Sequence, residues 1–128
     1  MKKNNRIRKY IIFTVFLMLL SISTARALTN KDSCTLRIGE SLAETSPIGT
    51  SKSAHFDILT YSDSKAPTNA AVHACWTGWP YTLEQNRVLG IGQEWIGTEP
   101  QDKNSNFFVR LHGMYMNNTH AYGFIKTN

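Results

Sequence analysis

Apolar residues in this chain come in short bursts, and from about residue 34 onward several bursts alternate with polar residues one for one. Leu36 and Ile38 flank Arg37, and Phe56 and Ile58 flank Asp57. Val109 and Leu111 share one parity of a stretch whose other parity carries Phe108, Arg110 and His112. A period of two is that of a half-buried strand, whose successive side chains point to opposite faces. Candidate strands cover residues 34–39, 55–61, 72–76, 88–91, 107–116 and 121–126. Turn formers lie between them: Ser46-Pro47-Ile48-Gly49, Ser62-Asp63-Ser64, Thr98-Glu99-Pro100-Gln101-Asp102 and Asn117-Asn118-Thr119. The Ala-rich segment 67–74 and the segment 83–87 are each compatible with a turn or two of helix. No stretch has the length of an ordinary amphipathic helix. Many short strands at this spacing predict an all-β fold, a single small sandwich or a small barrel of six or seven strands.

The start of the chain follows a different pattern. The first nine residues carry five positive charges and no negative one, and an apolar run of about 14 residues follows. That run is short of the ~20 residues a spanning helix needs. It ends in Thr24-Ala25-Arg26-Ala27, which contains an A-x-A cleavage pattern. Basic start, apolar middle and small-residue exit predict a secretory signal peptide over residues 1–27, with the rival reading an uncleaved anchor. No cysteine stands at the exit to take a lipid. Residues 28–128 are then one β-rich domain, sent to the periplasm and on to the cell surface or medium, with no stable membrane insertion after cleavage.

Cleavage changes the charge argument. The whole chain has 14 Lys and Arg, nine Asp and Glu, and a net charge of +5. Six of the basic residues (Lys2, Lys3, Arg6, Arg8, Lys9 and Arg26) precede residue 28, which leaves eight basic against nine acidic. The basic balance belongs to the targeting segment, and no Lys/Arg stripe remains to recommend nucleic acid as a partner.

Only two cysteines are present, Cys34 and Cys75. An even count in an oxidising compartment predicts one disulfide between them, worth up to ~4 kcal/mol by closing the intervening loop. A metal pair is disfavoured, because no C-x-x-C or H-x-x-x-H accompanies them. Neither a cofactor nor a metal is expected. The four histidines, His55, His73, His112 and His120, belong to no catalytic motif: G-x-S-x-G, H-E-x-x-H, the P-loop and paired carboxylates are all missing from the sequence. They read as structural or surface residues, and no catalytic residue is expected. Asn117-Asn118-Thr119 fits the glycosylation triplet but reads here as a turn.

The aromatic cluster carries more information. Trp76, Trp79 and Tyr81 lie within six residues in CWTGWPY, and Trp95 follows in GQEWIG. Gly78 and Pro80 interrupt regular structure between them. Such rings on an anchored loop suit stacking on a sugar or insertion into a partner protein, and equally suit a small core. Trp76, Trp79, Tyr81 and Trp95 are therefore the candidate binding residues, with Trp76 facing inward beside the bridge and Trp79 outward.

Two stretches carry a resemblance. Cys34-Thr35-Leu36-Arg37-Ile38-Gly39-Glu40, followed by Ser46-Pro47-Ile48-Gly49, resembles the early strand of chaperone–usher fimbrial subunits, especially Dr/Afa-type adhesins and invasins. Residues 107–116, a turn, and Ala121-Tyr122-Gly123-Phe124-Ile125-Lys126 resemble the last two strands of such a subunit. Together they cover about a third of the mature chain. The resemblance implies an immunoglobulin-like sandwich lacking one strand, with Tyr122 and Phe124 lining an open groove that a chaperone or neighbouring subunit fills by strand addition. Only six residues separate the cleavage point from Cys34, as in a tip subunit that accepts a strand and gives none. The CWTGWPY loop is not part of that pattern. Asn117-Asn118-Thr119-His120-Ala121 and the strand after it are similar to the sugar-binding B subunits of AB5-type toxins, whose long central helix has no counterpart here. The expected function is a secreted bacterial binding protein without catalysis, most readily a fimbrial or surface adhesive subunit that meets a host glycan or receptor. The alternatives are a toxin B subunit and a periplasmic inhibitor or immunity protein of a secreted hydrolase.

Overall fold

A computed structural model describes residues 28–127, so the signal peptide expected over residues 1–27 lies outside the described residues. The alternation along the chain becomes seven strands: β1 (Lys31–Leu36), β2 (Leu42–Glu44), β3 (Ile48–Thr60), β4 (Thr68–Trp76), β5 (Thr82–Leu89), β6 (Glu94–Gly113) and β7 (Ala121–Thr127). Among the described residues no helix is long and apolar enough to cross a membrane.

All pairings are antiparallel, and one hydrogen-bonded path runs β1-β7-β3-β6-β4-β5, with β2 alongside β6. The ends of the path, β1 and β5, do not pair with each other. The 20-residue β6 lies between β3 and β4 in the path and holds it together. Residues 94–100 pair with the second half of β3, Ser105 and Phe107 with its first half and residues 110–112 with β2, while residues 105–113 pair with β4 on the opposite edge. Two register shifts in the β3–β6 ladder, between Ile48 and Ser51 and between Ser51 and Ser53, fall at the middle of β6. Irregularities of this kind bend and twist a strand.

The bend turns the sheet's apolar side onto itself. Phe56 and Ile58 of β3, Val72 and Ala74 of β4, Phe107, Val109 and Leu111 of β6, and Ile125 of β7 are buried together. A Cβ built on Gly123 of β7 would lie 3.0 Å from Val109 Cγ1, although β7 has no ladder with that half of β6. At Gly97, paired with Phe56, a Cβ would come within 2.4 Å of the Phe56 ring, so the ring lies flat across the glycine.

Several expectations need correction. The Ala-rich segment 67–74 is not helical. It lies in β4, paired on one edge with β5 and on the other with β6. Its small residues suit a strand buried on both faces, so packing overrides alanine's helix preference. Segment 83–87 is likewise strand, in β5. The run Thr98–Asp102, read as a turn, lies inside β6; Pro100 is tolerated there because it stands opposite Ser53 at the register shift.

The expected Cys34–Cys75 disulfide is not formed, and both thiols are free. Strand parity and order explain this. Cys34 leans on the core from β1, whereas Cys75 alternates out of the core on β4 and shares a face with His73. Strands β7, β3 and β6 separate β1 from β4 in the path. Burial, with Asp32 adding to it, pushes the Cys34 thiol up to about 12.

The groove expected beside the last strand is also missing. β7 is hydrogen-bonded to β1 on one edge and to β3 on the other. Ala121, Gly123 and Ile125 point inward, which leaves Tyr122 and Phe124 half-exposed on the outer face.

Candidate functional site

The turn from β4 to β5 is built by its glycine. Trp79 N donates to Trp76 O at 2.9 Å, closing a four-residue turn with Gly78 at its third position and φ +83°. That position calls for a left-handed residue, which glycine adopts without a Cβ penalty. The turn leaves Trp79 66% exposed while Trp76 remains half-buried at the end of its strand. The two indoles meet edge to face, 6.3 Å apart and at 79°.

Together they wall a cleft of about 150 Å³, lined also by Pro80, Thr82, Glu84 and Gln101. Its far side comes from the bend of β6. Trp76 Nε1 donates to Gln101 Oε1 at 3.1 Å, and the Lys103 ammonium sits 4.6 Å from the centre of the Trp76 ring. Thr82 Oγ1 donates to Glu84 Oε1, so one carboxylate oxygen on the rim is already held.

Behind Gln101 is a buried carboxylate. Glu99 is 5% exposed and accepts from Gln85 Nε2 at 3.3 Å and from Gln101. Gln85 Nε2 also reaches Thr98 O at 3.1 Å. Burial raises the Glu99 carboxyl above the ordinary range and Glu84 adds to the effect, while the two glutamine hydrogen bonds oppose it. The chain Trp76–Gln101–Glu99–Gln85 thus ties the cleft's inner indole through β6 to β5, and fixes a ring that would otherwise turn about its side-chain torsions.

The four aromatic candidates do not form one site. Trp76 and Trp79 meet at the cleft. Tyr81 turns to the outer face, packs edge-on against Phe108 at 4.9 Å, and hydrogen-bonds Cys75 and Asn106; burial pushes its phenol up. Trp95 is 7% exposed and belongs to the core, where Phe56 meets it at 4.7 Å and the Arg87 guanidinium lies 4.9 Å from its ring centre.

No histidine lines the cleft. His73 stacks on Phe108 at 4.6 Å, and burial, with Arg110, lowers its pKa. His112 pairs across from Leu42 and Asn69, His55 Nδ1 contacts Thr98 Oγ1 at 2.8 Å, and His120 Nδ1 contacts Asp63 Oδ1 at 2.7 Å. Among the described residues no group of three or more His, Cys, Asp or Glu is placed to hold a metal ion. Sequence reasoning missed Glu84, Glu99, Gln101 and Lys103. The last three lie in or next to the stretch read as a turn, and the signal that could have found them is the alternation Glu99, Gln101, Lys103.

No family profile and no curated protein sequence matches the chain. Solved structures similar in backbone include PirA, at 9% identity and a TM-score of 0.48, covering 82% of this chain and 99% of that one. The Yersinia pseudotuberculosis-derived mitogen is similar at 5% identity and 0.43, covering 80% and 79%. The K3 cleaved adhesin domain of Lys-gingipain from Porphyromonas gingivalis w83 is similar at 11% and 0.48, covering 74% and 73%. At these identities and scores nothing about activity is transferred from them.

Proposed function

We propose that this chain is an exported, non-catalytic binding domain that works at the bacterial surface as an adhesive subunit and captures its ligand at the Trp76–Trp79 cleft. The observation that carries this reading is Trp79: a large ring, 66% exposed, on a turn closed by a backbone hydrogen bond and beside a cleft. A side chain with two torsions, on a turn already ordered, loses little entropy when it is covered. The polar groups around it suit holding: Gln101 is engaged at both ends of its amide, and Glu84 is bonded to Thr82.

The curled sheet, with its apolar side buried together, fits a sandwich. A fimbria of the Dr/Afa kind is the finer form of the proposal. Since β7 has both its neighbours, a strand from another subunit would have to add at β1 or β5, the ends of the sheet path, where backbone groups are open to pairing.

The test compares the mature chain with Trp79→Ala and Trp76→Ala in adhesion to host cells or glycan-coated surfaces. Trp79→Ala should lose binding by about tenfold, as an interface hot spot does. Full adhesion by Trp79→Ala would reject the cleft as the site. Turnover of a substrate that His112→Ala or His120→Ala abolishes would reject the non-catalytic class. A stable pentamer on a sizing column would point instead to a toxin B subunit, and capture of a hydrolase to an inhibitor.

A further inference from the structure

We infer that the cleft takes one neutral sugar ring, stacked on Trp79 and hydrogen-bonded by Glu84 and Lys103; this rests on the reading of the cleft as the binding site. Glu84 on the lining and Lys103 over the Trp76 ring carry opposite charges, so a charged ligand of either sign is drawn to one and repelled by the other, with no net gain over a neutral one. A ligand ammonium would be drawn to the Trp76 face, but Lys103 already sits 4.6 Å from that ring's centre and would repel it. A ligand carboxylate or phosphate would meet Glu84, which lines the cleft. A wholly apolar ligand would cover Glu84 and Thr82 without replacing the water they lose, at a cost in free energy.

A pyranose avoids all three conflicts. Its C–H face is apolar and flat enough to lie on an indole, and its hydroxyls both donate and accept. Neither Glu84 nor Lys103 is in a salt bridge among the described residues. Glu84 is left to accept from ligand hydroxyls and the Lys103 ammonium to donate to them. The volume of about 150 Å³ is half the ~300 Å³ at the lower end of small-molecule pockets, which fits a single ring at the end of a glycan. Gln101 is no direct contact in this scheme; it is a positioning residue that holds Trp76 through its indole N–H.

The three indole N–H groups allow the test to be read by residue in a ¹⁵N-labelled mature chain. The titrants are methyl glycosides of glucose, galactose and mannose, then glucuronate, glucosamine and tetramethylammonium as charged counterparts. At least one neutral glycoside should shift the Trp76 and Trp79 signals to saturation and leave Trp95 in place. Its charged counterpart should bind about fivefold more weakly. Trp79→Ala and Glu84→Gln should each weaken the neutral sugar by about tenfold, and Trp79→Phe should keep most of the binding. Tighter binding of a charged titrant would overturn the neutral-ring inference and leave the cleft as the binding site. Unmoved Trp76 and Trp79 signals across the panel would overturn the sugar. The broader reading falls separately, if Trp79→Ala adheres as well as the parent chain.

Discussion

Replacing Trp95 and Trp79 by alanine in turn should separate a core indole from an exposed one in one experiment. A Trp side chain has up to ~250 Å² to bury. At 7% exposure Trp95 hides about 230 Å² of it, or ~6 kcal/mol at ~25 cal/mol per Å² as an upper bound. Core Trp→Ala changes cost ~3–5 kcal/mol. At 66% exposure Trp79 hides about 85 Å², an upper bound of ~2 kcal/mol and about 1 kcal/mol on the same scaling. For a domain of this size each kcal/mol moves the melting temperature by ~4–8 °C. Trp95→Ala should therefore lower Tm by at least about 12 °C, and Trp79→Ala by no more than about 8 °C. Calorimetry, with circular dichroism at 25 °C to confirm a folded start, measures both. Trp95→Ala also strips Phe56 of its edge contact and Arg87 of the ring beneath it, so its near-UV signal should change with its stability. Equal losses for the two variants would refute the division of the aromatic cluster.

Four further outcomes follow from the packing. The mature chain denatured without reductant should titrate two thiols and keep its mass on reduction; a mass lower by two hydrogens would mean that β1 or β4 is rearranged to join Cys34 and Cys75. In the native chain Cys34 should resist alkylation at neutral pH, because burial pushes its thiol up to about 12. Gly97→Ala should cost ~1–3 kcal/mol in urea denaturation, since its Cβ would fall 2.4 Å from the Phe56 ring, and an unchanged midpoint would contradict that contact. Glu99 has a carboxyl raised by burial, so the folded chain holds its proton to higher pH than the unfolded chain does. Stability should then fall as pH rises from the ordinary carboxylate value through the raised one, and Glu99→Gln should flatten that slope in urea midpoints taken from about pH 4 to about pH 7. An unchanged slope would assign it to another group.

How much of this was legible in the sequence depended on whether a residue's neighbours in the chain were also its neighbours in space. Alternation around Phe56, Ile58, Val109 and Leu111 marked the inward parity of β3 and β6 correctly. At residues 67–74 and 83–87 the local preference pointed to helix, and only pairing with β5 and β6 decides for strand. The cysteines were misread because an even count says nothing about parity: Cys34 and Cys75 belong to unpaired strands, one turned toward the core and one away. For Trp76 and Trp79, the glycine between them announced the turn. Nothing near Trp95 separated it from the others, since its burial depends on Phe56, far away in sequence.

The cleft itself follows from the least regular part of the fold. A proline in the middle of a central strand normally leaves a gap in the ladder. Here Pro100 stands opposite Ser53 at a register shift in the β3–β6 ladder, before β4 joins the other edge at Ser105, so the missing donor falls where pairing is already irregular. The residues just after it, Gln101 and Lys103, keep strand alternation and reach Trp76 at the end of β4. The residue just before it, Glu99, is carried inward, where it meets Gln85 and Gln101. One irregularity thus turns the sheet over its core and places three polar side chains behind and beside an indole. The stretch that looked most like a turn is, in the folded chain, the wall against which the Trp76–Trp79 turn is built.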